Sequence, residues 1–357
     1  MDIVVACGGT GGHAFPGLAV AEELAKRSHS VTIWSSGRDV ESSVLRTWGG
    51  EIFATGAKQL AVKNVFGIAR SIFRCRMRMK KRPPAVLLAM GSYSSLPPVL
   101  AAKAYGVPVV LHEANSVPGR AVDYLSRYAA KVAVSFKGAA KYFPAGKTVL
   151  TGLPVRSGIA AGKRFPEIPE GAFTVFVTGG SQGAHAVNLL MMDALSMLKA
   201  ELDSRPGARP LYVIHQTGEK DVGVVMAAYA KAGIPSRVSA FEREMANAFA
   251  SADIVVARAG ASTCFELAAA GKPAFLIPLP TALRNHQFHN AEEFASHGAA
   301  DVGIQSRLTP ESVLRYLLAK YEKPDSLAKM SERMRAIGTG DAAARLADVV
   351  EEMANVR

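Results

Sequence analysis

His13 ends a glycine turn, Gly8-Gly9-Thr10-Gly11-Gly12, that closes the apolar run Ile3-Val4-Val5-Ala6. An imidazole there can take a proton near neutral pH, and the glycines let a substrate approach closely. It can equally serve only to orient the loop. The turn recurs in the second half as Gly179-Gly180-Ser181-Gln182-Gly183-Ala184, after Thr174-Val175-Phe176-Val177-Thr178. A strand that turns through glycines into a helix presents backbone N–H groups and the positive end of the helix dipole, a setting for phosphate. A third cluster reads Arg258-Ala259-Gly260-Ala261-Ser262-Thr263, then Glu266. Ser262 is expected as the N-cap of a short apolar helix that Gly271 and Pro273 stop. Glu266 falls one turn in, where a carboxylate can accept two hydrogen bonds from a vicinal diol such as a ribose. Read alone, it serves as well as a solvated acid that complements the dipole. His286-Gln287-Phe288-His289-Asn290 adds imidazoles and amides suited to sugar hydroxyls.

The elements that must carry these groups alternate. Strands are expected at 2–6, 31–35, 85–89, 107–112 and 131–134, and again at 173–178, 210–215, 253–257 and 273–278. Helices fall between, for example at 16–28, 119–129, 184–200, 221–232, 262–270 and 309–321, with a helical tail at 341–357. Such alternation predicts α/β architecture with parallel sheets, and loops at the strands' C-terminal ends as the ligand-binding side. The Pro- and Gly-rich segment 152–171 is the expected linker between two domains.

Composition narrows the class. A chain of 357 residues, 49% hydrophobic, can build two cores. Cys7, Cys75 and Cys264 are odd in number and far apart, which argues for a reducing compartment. The chain enters a strand within three residues, so no signal peptide is expected, and the longest uncharged stretch, 83–102, carries four prolines. Residues 1–160 hold 21 Lys/Arg against 8 Asp/Glu, while the remainder holds 21 against 22. The net +12 therefore belongs to the first half and suggests an anionic partner there. Residues 64–82 concentrate it: seven Lys/Arg and no acid alternate with Phe66, Ile72, Phe73, Met77 and Met79. This is either a basic amphipathic helix for an anionic membrane or a crossover helix with solvated arginines. No helix-turn-helix, zinc finger or RNA-binding aromatic motif supports nucleic acid.

A dinucleotide site, Gly9-x-Gly11-x-x-Ala14, lacks the acid that should end the second strand, although Arg38 suits a 2′-phosphate. No Gly-Lys-Ser/Thr follows at the spacing of a Walker loop.

The ordered set Gly8-Gly9-Thr10-Gly11-Gly12-His13, His112-Glu113-Ala114-Asn115, Gly179-Gly180-Ser181-Gln182-Gly183-Ala184, Arg258…Glu266 and His286-Gln287…Asn290 resembles the MurG family, from the first strand to about residue 300. These are UDP-N-acetylglucosamine:lipid I N-acetylglucosaminyltransferases. The resemblance implies a GT-B fold, two Rossmann-like domains with parallel sheets facing across a deep cleft. The N-terminal domain would be 1–156 plus a C-terminal helix at about 338–357, and the donor domain 157–337. It implies Arg156 and Ser181, with Gln182 and Gly183, on the donor diphosphate. Phe241 and the backbone around Glu242 would cover the uracil, with Met245 nearby. Glu266 would bind the ribose from the helix opened by Ala261 and Ser262, and His286 and Gln287 would hold the sugar. Thr10, Gly11, Gly12, His13, Tyr93, Glu113 and Asn115 would face the lipid-linked acceptor, and Thr10, Gly11, Gly12 and Asn115 would also reach the donor.

The activity implied is inverting transfer of GlcNAc from UDP-GlcNAc to the 4-hydroxyl of undecaprenyl-diphospho-N-acetylmuramoyl-pentapeptide (lipid I), giving lipid II, with His13 as base. It implies work at the cytoplasmic face of the bacterial inner membrane, docked through 64–82. No cofactor is implied, and no metal, since no Asp-x-Asp box is present. The alternatives are another GT-B enzyme using UDP-GlcNAc (a glycolipid transferase or epimerase), an NADP-dependent reductase, and a non-catalytic membrane scaffold. The chain departs from the family pattern at Ser92, Ala114 and His185, where Gly, Gln and Arg are usual.

Overall fold

The computed structural model describes residues 1–9, 11–38, 41, 44–59, 61, 64–338 and 340–356. The chain divides into two compact units, Met1–Ser157 with Thr339–Arg357, and Gly158–Gly338.

Unit 1 carries strands β1 (Asp2–Ala6), β2 (Ser30–Ser35), β3 (Ile52–Ala54), β4 (Val86–Ala89), β5 (Val109–Glu113), β6 (Lys131–Val134) and β7 (Thr148–Leu150). They pair in the order β3-β2-β1-β4-β5-β6-β7, every pair parallel. Helices α1 (Gly11–Lys26), α2 (Val65–Lys81), α3 (Leu96–Ala104) and α4 (Arg120–Leu125) make crossovers. Strand order reverses between β1 and β4, the switch point where doubly wound sheets bind ligands. The turn after β1 therefore sits where chemistry is expected.

Unit 2 repeats the plan. Strands β8 (Phe173–Thr178), β9 (Leu211–Gln216), β10 (Ser236–Ser239), β11 (Ile254–Ala257), β12 (Ala274–Leu276) and β13 (Ala300–Val302) pair parallel in the order β10-β9-β8-β11-β12-β13. Its helices are α5 (His185–Asp203), α6 (Val222–Lys231), α7 (Met245–Ser251), α8 (Ala261–Ala270), α9 (His286–Ser296), α10 (Pro310–Glu322) and α11 (Pro324–Ile337).

The tail helix α12 (Ala342–Asn355) belongs to unit 1. Its Leu346, Ala347 and Val350 are buried in one core with Ile3, Val5, Leu24 and Ile33. Arg27 at the end of α1 clamps it, donating to Asp348 at 2.6 Å and Glu351 at 3.0 Å, while His29 meets Glu351 at 2.7 Å. In α2, residues spaced by four, Ser71, Cys75 and Met79, are buried, and the helix packs on α3. The opposite face leaves Phe66 89% exposed, with Phe73 and Met77 also exposed. Residues 65–81 thus form a crossover helix that also presents an exposed apolar face among arginines. No described helix is long and apolar enough to cross a membrane.

Candidate active site

The first glycine turn is locked from every side. Gly9 has φ 103°, a conformation glycine tolerates. Its N–H donates to Glu41 Oε1 at 2.6 Å, and its carbonyl accepts Arg38 Nη1 at 3.1 Å. The Gly8 carbonyl accepts Ser94 Oγ at 2.7 Å. Glu41 is only 1% exposed and also takes the N–H groups of Ser36 (2.7 Å) and Gly37 (3.1 Å) and the Ser36 hydroxyl. Of the turn's amides, that of Gly9 is therefore spent inside the protein rather than open to a phosphate. Arg38, suited by sequence to a 2′-phosphate, instead bonds Gly9 O and the Tyr93 hydroxyl at 3.3 Å.

His13 lies in the first turn of α1, half-buried. A Cβ placed on Gly91 would sit 3.7 Å from His13 Cδ2 and 3.2 Å from the His112 carbonyl, so His13, the 90–93 loop and the end of β5 meet. Gly11 and Gly12 open α1 beside it. Thr10 lies outside the described residues. Ser92 adopts φ 69° and ψ 169°, a region nearly confined to glycine, and packs its hydroxyl onto Gly9. Tyr93 follows, half-buried, starting the short turn that leads into α3.

The end of β5 is an inward-facing polar pair. The His112 ring, fully buried, donates Nε2–H to Gly152 O at 3.2 Å, and burial holds its pKa down at about 4. Glu113, also buried, accepts Asn115 N (2.8 Å), Asn115 Nδ2 (3.1 Å) and Gly119 N (3.1 Å). Burial raises its pKa to about 7 against the pull of those bonds. The carboxylate expected on the acceptor side is thus the fastener of its own loop, and it sets the Asn115 amide. Arg156 stacks on Phe15 of α1, its Cζ 4.3 Å from the ring centroid.

The second turn is built on close backbone approach. A Cβ on Gly183 would fall 1.9 Å from Thr217 O, and one on Gly179 would fall 2.3 Å from Ala184 N. Gly180 N–H donates to Thr178 Oγ1 at 3.1 Å, and Ser181 and Gln182 are exposed at the tip. Gln216, which the sequence did not single out, braces this turn. Its Nε2 donates to Gly180 O at 2.7 Å and Thr178 Oγ1 at 3.2 Å, and its Oε1 accepts Glu242 N–H at 3.0 Å. One buried amide thereby ties the turn to the 241–245 loop. The Glu242 N–H is therefore engaged within the protein. Its carboxylate is buried against Arg237 at 3.0 Å and accepts Glu244 N at 2.8 Å. Phe241 is 45% exposed and Met245 is buried. Below the turn, His185 meets Asp221 (2.9 Å), Asp221 meets Asn188 (2.7 Å), Asn188 meets His215 (3.1 Å), and His215 meets the Tyr229 hydroxyl (2.8 Å). This chain fixes the start of α5 to β9.

After β11, the buried Arg258 donates to the Ile277 and Pro278 carbonyls, both at 3.1 Å, and to Gln305 Oε1 at 2.7 Å. It shapes the loop that precedes α9. Gly260, not Ser262, is the N-cap of α8; the helix begins at Ala261, and Ser262 lies in its first turn. Gly271 (φ 63°) ends the helix as expected. Glu266 is 5% exposed, which removes the solvated-acid reading. Asn290 anchors α9 to the loop after β11 through Ala259 O at 3.2 Å. Arg284 and Asn285 both adopt left-handed backbone (φ 51° and 53°) to launch α9. His286 Nδ1–H donates to Leu283 O at 2.8 Å, so its Nε2 is the acceptor of the neutral ring. Gln287 Oε1 accepts Leu279 N–H at 2.9 Å, which leaves its amide as a donor. Among the described residues, no group of three or more His, Cys, Asp or Glu is placed to hold a metal.

Two doubly wound units, the second carrying a braced glycine turn, a buried acid on α8 and a His–Gln pair opening α9, fit the class of sugar-nucleotide glycosyltransferases. The glycosyltransferase family 28 N-terminal domain matches residues 3–134 and its C-terminal domain matches residues 174–352, and the chain belongs to this family. It is 38% identical over 365 residues to the UDP-N-acetylglucosamine--N-acetylmuramyl-(pentapeptide) pyrophosphoryl-undecaprenol N-acetylglucosamine transferase of Geobacter sulfurreducens, covering 98% of this chain and 97% of that one. The enzyme of the same name from Syntrophus aciditrophicus is 35% identical over 362 residues, 97% of each chain. Among solved structures, MurG of Acinetobacter baumannii superposes with a TM-score of 0.78 at 30% identity, over 98% of this chain and 99% of that one. A Neisseria meningitidis UDP-GlcNAc 2-epimerase shares the fold at 13% identity, TM-score 0.70, over 99% of this chain and 100% of that one.

Proposed function

We propose that this chain transfers GlcNAc from UDP-GlcNAc to the 4-hydroxyl of the muramoyl sugar of lipid I, with inversion, giving lipid II and UDP. The observation that carries the reading is the preassembly in unit 2 of a braced glycine turn, the buried Glu266 and the His286–Gln287 pair on adjoining strand ends. Near-full-length identity to enzymes of that name supports it. Ser181, Gln182 and Gly183 hold the diphosphate with Arg156; Phe241, the Glu242 carbonyl and Met245 flank the uracil; Glu266 binds the ribose diol. His286 accepts from one sugar hydroxyl and Gln287 donates to its neighbour. In unit 1, Thr10, Gly11, Gly12, Tyr93 and Asn115 contact the acceptor. The 4-oxygen forms its bond to the anomeric carbon as the bond to the diphosphate oxygen breaks. The hydroxyl proton passes to His13, and the charge left on UDP is met by the helix N-terminus and Arg156.

No cofactor takes part in this scheme, so turnover is expected to persist in excess EDTA; loss on chelation restored by Mg²⁺ would overturn a metal-free transfer. Lipid I is a membrane molecule, and we assign the exposed face of α2, Phe66, Phe73 and Met77 among Arg70, Arg76, Lys80 and Lys81, to docking on the anionic cytoplasmic leaflet. The deciding experiment is turnover with labelled UDP-GlcNAc and a lipid I analogue, with product analysis. A β-linked disaccharide supports the reading. UDP release with an epimerised free sugar, and no acceptor adduct, would move the chain to the epimerases.

A further inference from the structure

The two glycine turns share sequence and place in the sheet, but different groups fill them. In unit 2 the fillers are neutral, the Thr178 hydroxyl and the Gln216 amide. In unit 1 the filler is a carboxylate. Glu41 arrives from beyond the end of β2 and receives three backbone amides, Gly9 at 2.6 Å, Ser36 at 2.7 Å and Gly37 at 3.1 Å, together with the Ser36 hydroxyl. Backbone amides converging from a glycine turn on one anion form the arrangement that ordinarily receives a phosphate oxygen. The fit is close: a Cβ on Gly8 would stand 3.3 Å from both Glu41 carboxylate oxygens and 2.8 Å from Ser36 N. Glycine at position 8 lets the acid and the end of β2 reach the turn.

We propose that Glu41 is the resident anion of the first turn and the positioning residue for His13. Resting on the transferase reading above, it says how unit 1 came to serve the acceptor. The carboxylate takes the place a nucleotide phosphate would claim, and a second anion there would meet its charge. Held by Glu41 at its amide and by Arg38 at its carbonyl, Gly9 cannot shift, and α1 starts two residues later with His13 in its first turn. The acid sought at the end of β2 for a ribose is therefore present, displaced along the chain and turned inward onto backbone.

The test removes the anion and offers it back. Glu41→Ala leaves a carboxylate-sized hole lined by amide donors. Turnover of the variant is expected to fall by about tenfold to a hundredfold, the effect of a slightly misplaced catalytic group. UDP-GlcNAc affinity should be unchanged, and formate or acetate, but not chloride at equal ionic strength, should restore part of kcat. Calorimetry should find formate binding to Glu41→Ala and none to the wild type, a readout that stands even if the transfer reaction proves to be another one. Wild-type kcat in the variant, a loss of donor affinity equal to the loss in kcat, or equal rescue by chloride would overturn the proposal. Should Glu41→Ala fail to fold, Glu41→Gln, which keeps the volume and removes the charge, carries the test. Lowered kcat with intact donor affinity is expected, and unchanged kcat overturns the assignment.

Discussion

At the scale of single residues, the structure separates groups that share a residue type by what surrounds them. His13, in the first turn of α1, and His112, at the end of β5, both lie beside Gly91, yet the His112 ring donates to Gly152 O and is kept neutral by burial. His13 is half-buried at a helix start, and in the proposed transfer it takes the proton. His13→Ala should lower turnover by about 10²–10⁴-fold, the usual worth of a general base, with UDP-GlcNAc affinity little changed. A loss below about fivefold would leave it only an orienting part. The acids divide likewise. Glu113 and Glu242 spend their carboxylates on nearby backbone amides, and Glu242 also on Arg237. Glu266 sits buried on α8 at the strand ends. Hydrogen bonds to a charged group are worth roughly 1.5–3 kcal/mol, so Glu266→Ala should cost about tenfold to a hundredfold in UDP affinity by calorimetry. A folded variant with wild-type affinity would remove Glu266 from the ribose.

At the scale of elements, the central strands and both glycine turns were legible because their signals are local. β-Branched runs mark β1 and β8, and left-handed backbone at Gly9, Gly180 and Gly183 demands glycine. Edge strands β3, β7 and β13 are three residues long, and β10 is Ser-Arg-Val-Ser, too short or too polar to show a period. Helix α3 begins Leu-Pro-Pro and α11 begins with Pro, which the first turn tolerates because it needs no N–H there. Glu41 and Gln216 were not legible at all, because their work is done on residues far along the chain. The basic, apolar character of α2 was legible, but only the fold shows that Ser71, Cys75 and Met79 are its buried face and how its cations divide. Arg78 pairs with Glu51, Arg82 with Asp2, and Arg74 lies over the Phe53 ring, whereas Arg70, Arg76, Lys80 and Lys81 are exposed. Changing these four to Gln should weaken binding to anionic liposomes by up to about a thousandfold at low salt, at about 1 kcal/mol per charge near the surface, and less at high salt. Transfer to a short soluble acceptor should be unaffected. Sedimentation equal to wild type would place docking elsewhere.

At the scale of the molecule, buried titratable groups make stability a function of pH, with opposite signs side by side. His112 is depressed from 6.5 to about 4 and His215 to about 3, both by burial. A depressed histidine binds fewer protons folded than unfolded, so its contribution is complete above pH 6.5 and is lost as pH falls through its folded pKa. Glu113 is raised from 4.5 to about 7. It binds more protons folded, so its contribution is complete below pH 4.5 and is lost as pH rises through 7. Each proton of difference is worth roughly 1.4 kcal/mol per pH unit. Between pH 4.5 and 6.5, His112 and Glu113 therefore nearly cancel within unit 1, while His215 makes unit 2 gain stability as pH rises. Glu113→Gln keeps two of the three hydrogen bonds and removes the titration. Denaturant unfolding of this variant should show unit 1 gaining about 1.4 kcal/mol per pH unit across that window, where the wild-type unit is flat. Above pH 6.5 the variant should level off, while the wild type declines towards pH 7 as Glu113 ionises. Identical pH slopes for variant and wild type would mean that Glu113 already ionises near its unfolded value, despite its burial at the end of β5.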